Sequence, residues 1–284
     1  FPSSIYWNGL EVWGIRRFPG SQSQYHRWLD RYYMQRGRQR SRGSLAGGVE
    51  PNWDPNLPDA PEDFPDTSDL RLRPKEADYL RERVLMSCAD SLLATLVGEC
   101  APVEGGRFVW EHPQIGAFPG EQRTWIRHAQ NFSEAMYGAV LLYNLMLAEL
   151  RGHEELVDEH ERSIGDWWQA LDARTAGLAH WDRQAFWELA HGPGRIPIRT
   201  EGFVNRWLDL LLAHRDQPSL SQHQAARTLV REREIWLKRG RSRFKSRRHL
   251  EMWSGAAGLG KLDYRWPIGR DITNDILRGI ERGG

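Results

Sequence analysis

Cysteine is nearly absent from this sequence, with only Cys88 and Cys100 in 284 residues. Neither falls in a metal-type spacing, and two thiols cannot build a disulfide framework, which fits an intracellular protein. Lysine is almost as scarce: Lys75, Lys238, Lys245 and Lys261 are all there are, so nearly all positive charge is guanidinium. Long apolar runs are missing too. No segment reaches the ~20 apolar residues of a membrane span, and no secretory leader is expected. Net charge is slight, 39 basic against 38 acidic residues, so any attraction to a polyanion must come from uneven distribution. No stretch alternates at period two, which excludes a core built on sheet. The chain opens on Phe1 rather than Met, so an N-terminal portion of the natural protein is expected to precede it.

What is present is tryptophan, fourteen of them, mostly at helical core positions. Trp125–Arg151 organises the rest. Trp125, Ala129, Phe132, Met136, Val140, Tyr143 and Leu147 form one stripe, and Ala135, Leu141, Leu142 and Leu145 a second. A helix apolar on most of its circumference must be surrounded by other elements. Gly152 ends it, and Glu154–Leu178 follows with Val157, His160, Ile164, Trp167, Trp168, Leu171 and Leu178 in register. A short turn between two long amphipathic helices implies an antiparallel pair. The expectation is an all-α multi-helix bundle around that pair, with long irregular loops.

Three segments follow from the patterning: a helical hairpin over 1–36, a Pro/Gly/Asp-rich linker or loop over 37–68, and a main helical domain over 69–284. In the hairpin, Tyr6, Leu10 and Trp13 share one face; Tyr25, Trp28, Leu29, Tyr32 and Tyr33 share another. The acids of 50–69 are placed to shield the arginines before them, or simply to be solvated. Pro74 opens a helix with Ala77, Leu80 and Val84 inward, and Leu92–Val97 a companion with no basic recognition face. A small hairpin is expected at Arg107–Trp110. Asp182 caps a helix, with Trp181 and Phe186 as its apolar staple. Phe203, Val204, Trp207, Leu208 and Leu211 mark the next helix. Ser221 and Gln224 form a capping box for another. Ile268, Ile272, Ile276 and Ile280 mark the buried face of the last.

Four constellations could carry chemistry. Gly255–Lys261 fits the letters of a phosphate loop, but Leu262 stands where a magnesium-holding hydroxyl is needed and no strand precedes it. His153 and His160 with intervening acids lack the i, i+4 zinc spacing. His128, Asn131 and Glu134 are polar groups on the most buried helix. They suit a structural hydrogen-bond network or, failing that, a catalytic site. The fourth, Arg227–Arg248, holds ten basic residues against Glu232 and Glu234, with Phe244 among them. Basic residues interleaved with aromatics are the footprint of a nucleic-acid binder, or else a solvated face paired to acids elsewhere. Arg227, Arg231, Lys238, Arg241, Arg243, Arg247 and Arg248 are the candidate phosphate contacts.

Val12–Arg31, His128–Glu149, Arg231–Arg243 and Leu262–Pro267 together make the chain resemble a bacterial family of unknown function, DUF6361. That resemblance implies a neighbourhood of helicases and nucleases in phage-defence-type systems, and supplies no catalytic residues. The expected protein is cytoplasmic, needs no cofactor or metal, does not enter a membrane, and binds nucleic acid or scaffolds helicase or nuclease partners. The alternatives are an enzyme working through His128, Asn131 and Glu134, and a protein–protein adaptor.

Overall fold

The computed structural model describes residues 2–41, 51–62, 64–66, 69, 71–192 and 194–283. Among them every regular element is helical, apart from a lone bridge between Arg16 and Trp53. The α-helices run α1 (Pro2–Val12), α2 (Gln22–Ser41), α3 (Pro74–Ser87), α4 (Leu92–Glu99), α5 (Gly120–Arg151), α6 (Glu154–Asp172), α7 (Thr175–Ala179), α8 (Arg183–His191), α9 (Ile198–Ala213), α10 (Gln224–Lys238), α11 (Arg247–Glu251) and α12 (Trp266–Glu281). They form two compact units. One comprises Phe1–Arg107, His112–Gln114 and Arg265–Gly284; the other Phe108–Glu111 and Ile115–Tyr264.

In the second unit α5 is the axis, 32 residues long and therefore ~48 Å. Within its C-terminal half, every residue of Leu141–Ala148 except Tyr143 is buried. Gly152 closes it in the left-handed conformation at φ 67°, its N–H returning to Ala148 and Glu149; a β-carbon is disfavoured there. The chain then reverses into α6, an antiparallel pair as the periodicity predicts. Trp167 presses its ring onto α5 where Gly138 has no side chain: a Cβ there would lie 2.0 Å from the indole. The same indole N–H donates to the Glu134 carbonyl at 2.8 Å, and Trp207 of α9 donates to the Ala135 carbonyl at 2.8 Å. Two tryptophans thus tie α6 and α9 to one turn of α5. All five inward residues predicted for α9 are buried. Asp182 caps α8 through Ala185 N–H, with Trp181 and Phe186 stapled 5.0 Å apart.

An irregular segment then runs back along α5. Asn144 takes the Ala257 N–H and donates to its carbonyl, Lys261 reaches Glu134, Ser133 donates to the Leu262 carbonyl, and Tyr264 donates to that of Ala129. Asn144 to Ala129 is ~22 Å of helix. The strap is pinned to the helix at four points along that length.

The first unit centres on Asp54, a buried carboxylate in an irregular segment. It accepts from the Tyr79 hydroxyl at 3.0 Å and Arg17 at 3.1 Å, and lies 3.4 Å from Arg83. Burial, and then the Asp54 hydrogen bond, push the Tyr79 phenol up to about 12. Of the described loop acids, Asp54 alone is buried; Asp59, Glu62, Asp66 and Asp69 stay solvated. α3, α4 and α12 of this unit pack together around Val84, Ala94, Val97 and Ile276.

Several local expectations are corrected. Trp7 is buried on α1 and Tyr6 is exposed; Trp7 nests against Tyr25, Trp53 and the Arg16 guanidinium, distant elements that local periodicity cannot register. Trp28 and Tyr33 are exposed. α2 continues to Ser41. Glu154–Leu178 breaks after Asp172 into α6 and α7. Arg107–Trp110 is not a hairpin; a 3-10 turn, Val109–Glu111, begins there. His223, through Nδ1, caps α10 instead of Ser221. On α12 Ile268 is 59% exposed and Ile272 38% exposed, whereas Thr273, Asn274, Ile276 and Gly279 are buried. Each four-residue step advances ~40° around a helix, so Ile268 and Ile280 are ~120° apart and cannot share a face. Gly279 sets the inner face by admitting α3: a Cβ there would sit 2.5 Å from that of Ala77.

Gly138→Ala should raise helix propensity yet destabilise the protein by ~2 kcal/mol or more, because the methyl meets a fixed ring. Urea unfolding measures this; an unchanged or higher midpoint would contradict the packing.

Candidate nucleic-acid interface

The basic stretch begins on α10 and leaves it at Lys238 in a turn organised by one carboxylate. Glu234 is 5% exposed. It accepts from Ser242 Oγ, from the Arg243 backbone N–H at 2.8 Å and from the Tyr143 hydroxyl at 3.4 Å, with Lys238 Nζ 3.6 Å away. A buried carboxylate needs several donors to replace water, and this set fixes the turn. Arg239 sits in it at φ 49°, a backbone uncommon outside glycine.

Two adjoining depressions of about 310 and 480 Å³ share Leu150 and Phe244 in their walls. Arg151, Arg227, Arg231, Arg243, Lys245 and Arg247 line them against Glu149 and Glu251, six cations to two carboxylates. Arg231 lies 5.4 Å over the Phe244 ring. The seven predicted contacts thus divide. Arg227, Arg231, Arg243 and Arg247 line this groove. Lys238 is half-buried on Tyr143, donating at 2.8 Å. Arg241 and Arg248 are exposed. Some are already engaged: Arg227 pairs with Glu149, and Arg243 donates to Tyr143 at 2.9 Å. Arg247 touches Glu251 at 3.0 Å with its side chain 91% exposed, a geometry worth little in water. The side chains of Arg241, Lys245 and Arg248 make no ion pair among the described residues. Sequence reasoning passed over Arg151, which lies in the last turn of α5 outside the basic run; its Nη1 donates to the Trp253 carbonyl at 2.6 Å.

The buried polar candidates form a different arrangement. His128 Nδ1 accepts from Trp181 Nε1 at 2.6 Å, so the neutral ring carries its proton on Nε2. Asn131 accepts from Arg174 at 3.3 Å. Glu134 is bracketed by Lys261 at 2.7 Å and Arg174 at 3.5 Å. These contacts join α5 to the residues on either side of α7, Arg174 before it and Trp181 after it, and to the strap. Lys261, last residue of the phosphate-loop lookalike, is spent on Glu134. His160 turns inward, 3.0 Å from the Gly255 carbonyl, while Glu154, Glu155, Asp158 and Glu159 face solvent. His153 and His160 are not brought into one metal-binding cluster with those acids.

The chain belongs to a family of unknown function, DUF6361, whose model matches residues 1–277. Neither a curated protein nor a solved structure matches it. Among the described residues no helix is long and apolar enough to cross a membrane.

Burial pushes His128 below the ordinary histidine value, with Asp182 opposing. An unfolded chain takes up that proton as pH falls through about 6.5, while the folded ring resists. Stability is therefore full above that pH and declines below it. Expected is a urea midpoint that falls from about pH 7.5 to 5.5, with part of the fall removed in His128→Gln, whose amide oxygen can still accept from Trp181. An identical pH profile in that variant would contradict the assignment.

Proposed function

We propose that this protein binds nucleic acid through the Phe244 groove and the exposed arginines beside it. The observation that carries the reading is the groove's composition: six cations against two carboxylates, with an aromatic between them, in a chain of net charge +1. Charge so concentrated attracts a polyanion that the whole molecule would not. The donors are guanidinium forks and one lysine, which match phosphate oxygens, and no side chain is set out as a recognition helix. The expected mode is therefore backbone contact, with little dependence on base sequence. The setting proposed with it is a cytoplasmic, bacterial, defence-associated DNA-processing assembly with helicase or nuclease partners.

A second reading, protein–protein scaffolding, draws on α1 and α2, which expose Ile5, Tyr6, Val12, Trp28, Tyr33 and Met34. So much exposed apolar surface is a mark of interaction sites. The enzymatic alternative at His128, Asn131 and Glu134 has the weaker support, since their side chains are committed to Trp181, Arg174 and Lys261.

Binding to a duplex should weaken with salt at a slope of about −0.9 per phosphate contact. Replacing Arg241, Lys245, Arg247 and Arg248 by Gln should flatten that slope by about two to four units without altering the helical signal. A slope untouched by the four substitutions in a folded protein would shift the weight to scaffolding.

A further inference from the structure

α9 and α10 face one another with matching stripes. Arg199, Gly202, Phe203 and Arg206 stand at i, i+3, i+4 and i+7 on one helix, and Leu229, Glu232, Arg233 and Trp236 at the same spacing on the other. Residues so spaced share a helix face. Together they wall an open cleft of about 290 Å³, separate from the Phe244 groove.

Arg233 is the unusual member. Its guanidinium lies 5.3 Å from the Phe203 ring centroid and 5.0 Å from that of Trp236. Nη2 donates to the Thr200 hydroxyl at 3.0 Å, while the buried Nη1 has no hydrogen-bond partner. No carboxylate among the described residues pairs with it. Ring faces offset part of the cost of burying a cation, and an anion would offset far more. Burial also lowers its affinity for its own proton, in keeping with a charge that lacks a counter-ion. Arg199 lies 5.6 Å over Trp236, and Arg206 is exposed, its Nε donating to the Gly202 carbonyl. Neither has an ion-pair partner among the described residues, and nor has Glu232, the cleft's single acid.

We propose that this cleft binds a dianionic phosphate group, inorganic or a monoester, with the half-buried Arg233 as the anchor and Arg199 and Arg206 contacting the same group from α9. Three arginines less one glutamate leave a charge of +2. A phosphate monoester carries about −1.5 to −2 at neutral pH, which a carboxylate or a backbone diester, each with one charge, matches less well. Guanidinium forks bind such oxygens in pairs. The group could arrive as free phosphate, as a mononucleotide, or as the 5′-phosphorylated end of a strand.

Calorimetric titration of the full chain separates these sources, using inorganic phosphate, adenosine 5′-monophosphate, adenosine, and one oligonucleotide with and without a 5′-phosphate. The phosphate-bearing compounds should bind and adenosine should not. The tightest binder among them names the source, and a 5′-phosphate should strengthen oligonucleotide binding. Arg233→Gln should weaken binding at least ~10-fold. Gly202→Leu provides a folding-neutral check: a Cβ there meets nothing within 4 Å, and leucine favours helix. Binding should be lost in that variant with Tm unchanged or raised. The four-glutamine groove variant should bind the small phosphates as the parent does, so either site can fail without the other. The proposal is overturned if no phosphate compound binds, if adenosine binds as well as its monophosphate, or if either cleft variant, folded, stays within about twofold of the parent.

Discussion

One constraint underlies the second unit: α5 is apolar around most of its girth and must be enclosed. The enclosure has fixed points rather than a general apolar attraction. The missing side chain at Gly138 lets the Trp167 ring close on the helix, and indole N–H groups from α6 and α9 reach adjacent carbonyls at Glu134 and Ala135. Those bonds set where α6 and α9 lie, and α10 packs on both α5 and α9. Asn144, with no exposed surface, spends its amide on Val140, Ala257 and Trp253 and anchors the strap. A buried amide must be satisfied; here that need ties a segment more than a hundred residues distant to the core.

Arginine serves two ends in this chain. Some guanidinium groups are joints: Arg16 closes on Trp7 and Phe18, and Arg17 and Arg83 converge on Asp54. On α10 and just beyond, Glu234 does for Ser242, Arg243 and Lys238 what Asp54 does in the first unit. A buried carboxylate in each unit thus organises the local basic residues, and those left to solvent gather in two places, along α2 (Arg27, Arg31, Arg36, Arg38) and just after Lys238. Near-zero net charge is compatible with a strongly basic local surface because much of the opposing charge sits elsewhere.

The long helices were legible because burial on several sides imposes a period that survives tertiary detail. α5, the start of α6, the five inward residues of α9 and the Asp182 cap all follow from spacing and capping chemistry. What escaped depends on contacts distant in sequence. Trp7 is buried by Tyr25 and Trp53 rather than by its own stripe. The strap has no period of its own, and only its pairing with α5 gives it a path. The four isoleucines of α12 looked regular, yet a four-residue step winds around the helix. The basic run was visible as composition, but which arginines are joints and which are free depends on Glu149, Tyr143 and Glu234. The cleft of α9 and α10 needs two stripes to face one another, and neither announces its partner.

The central claim is that the Phe244 groove meets nucleic acid. Hydrogen–deuterium exchange of the chain with and without a short duplex tests it most directly, since it reports where contact occurs rather than whether it does. The account predicts slowed exchange in Arg239–Glu251 and the last turn of α5, lost at high salt. Protection confined to α1 and α2, or no protection while the duplex is bound, would contradict it.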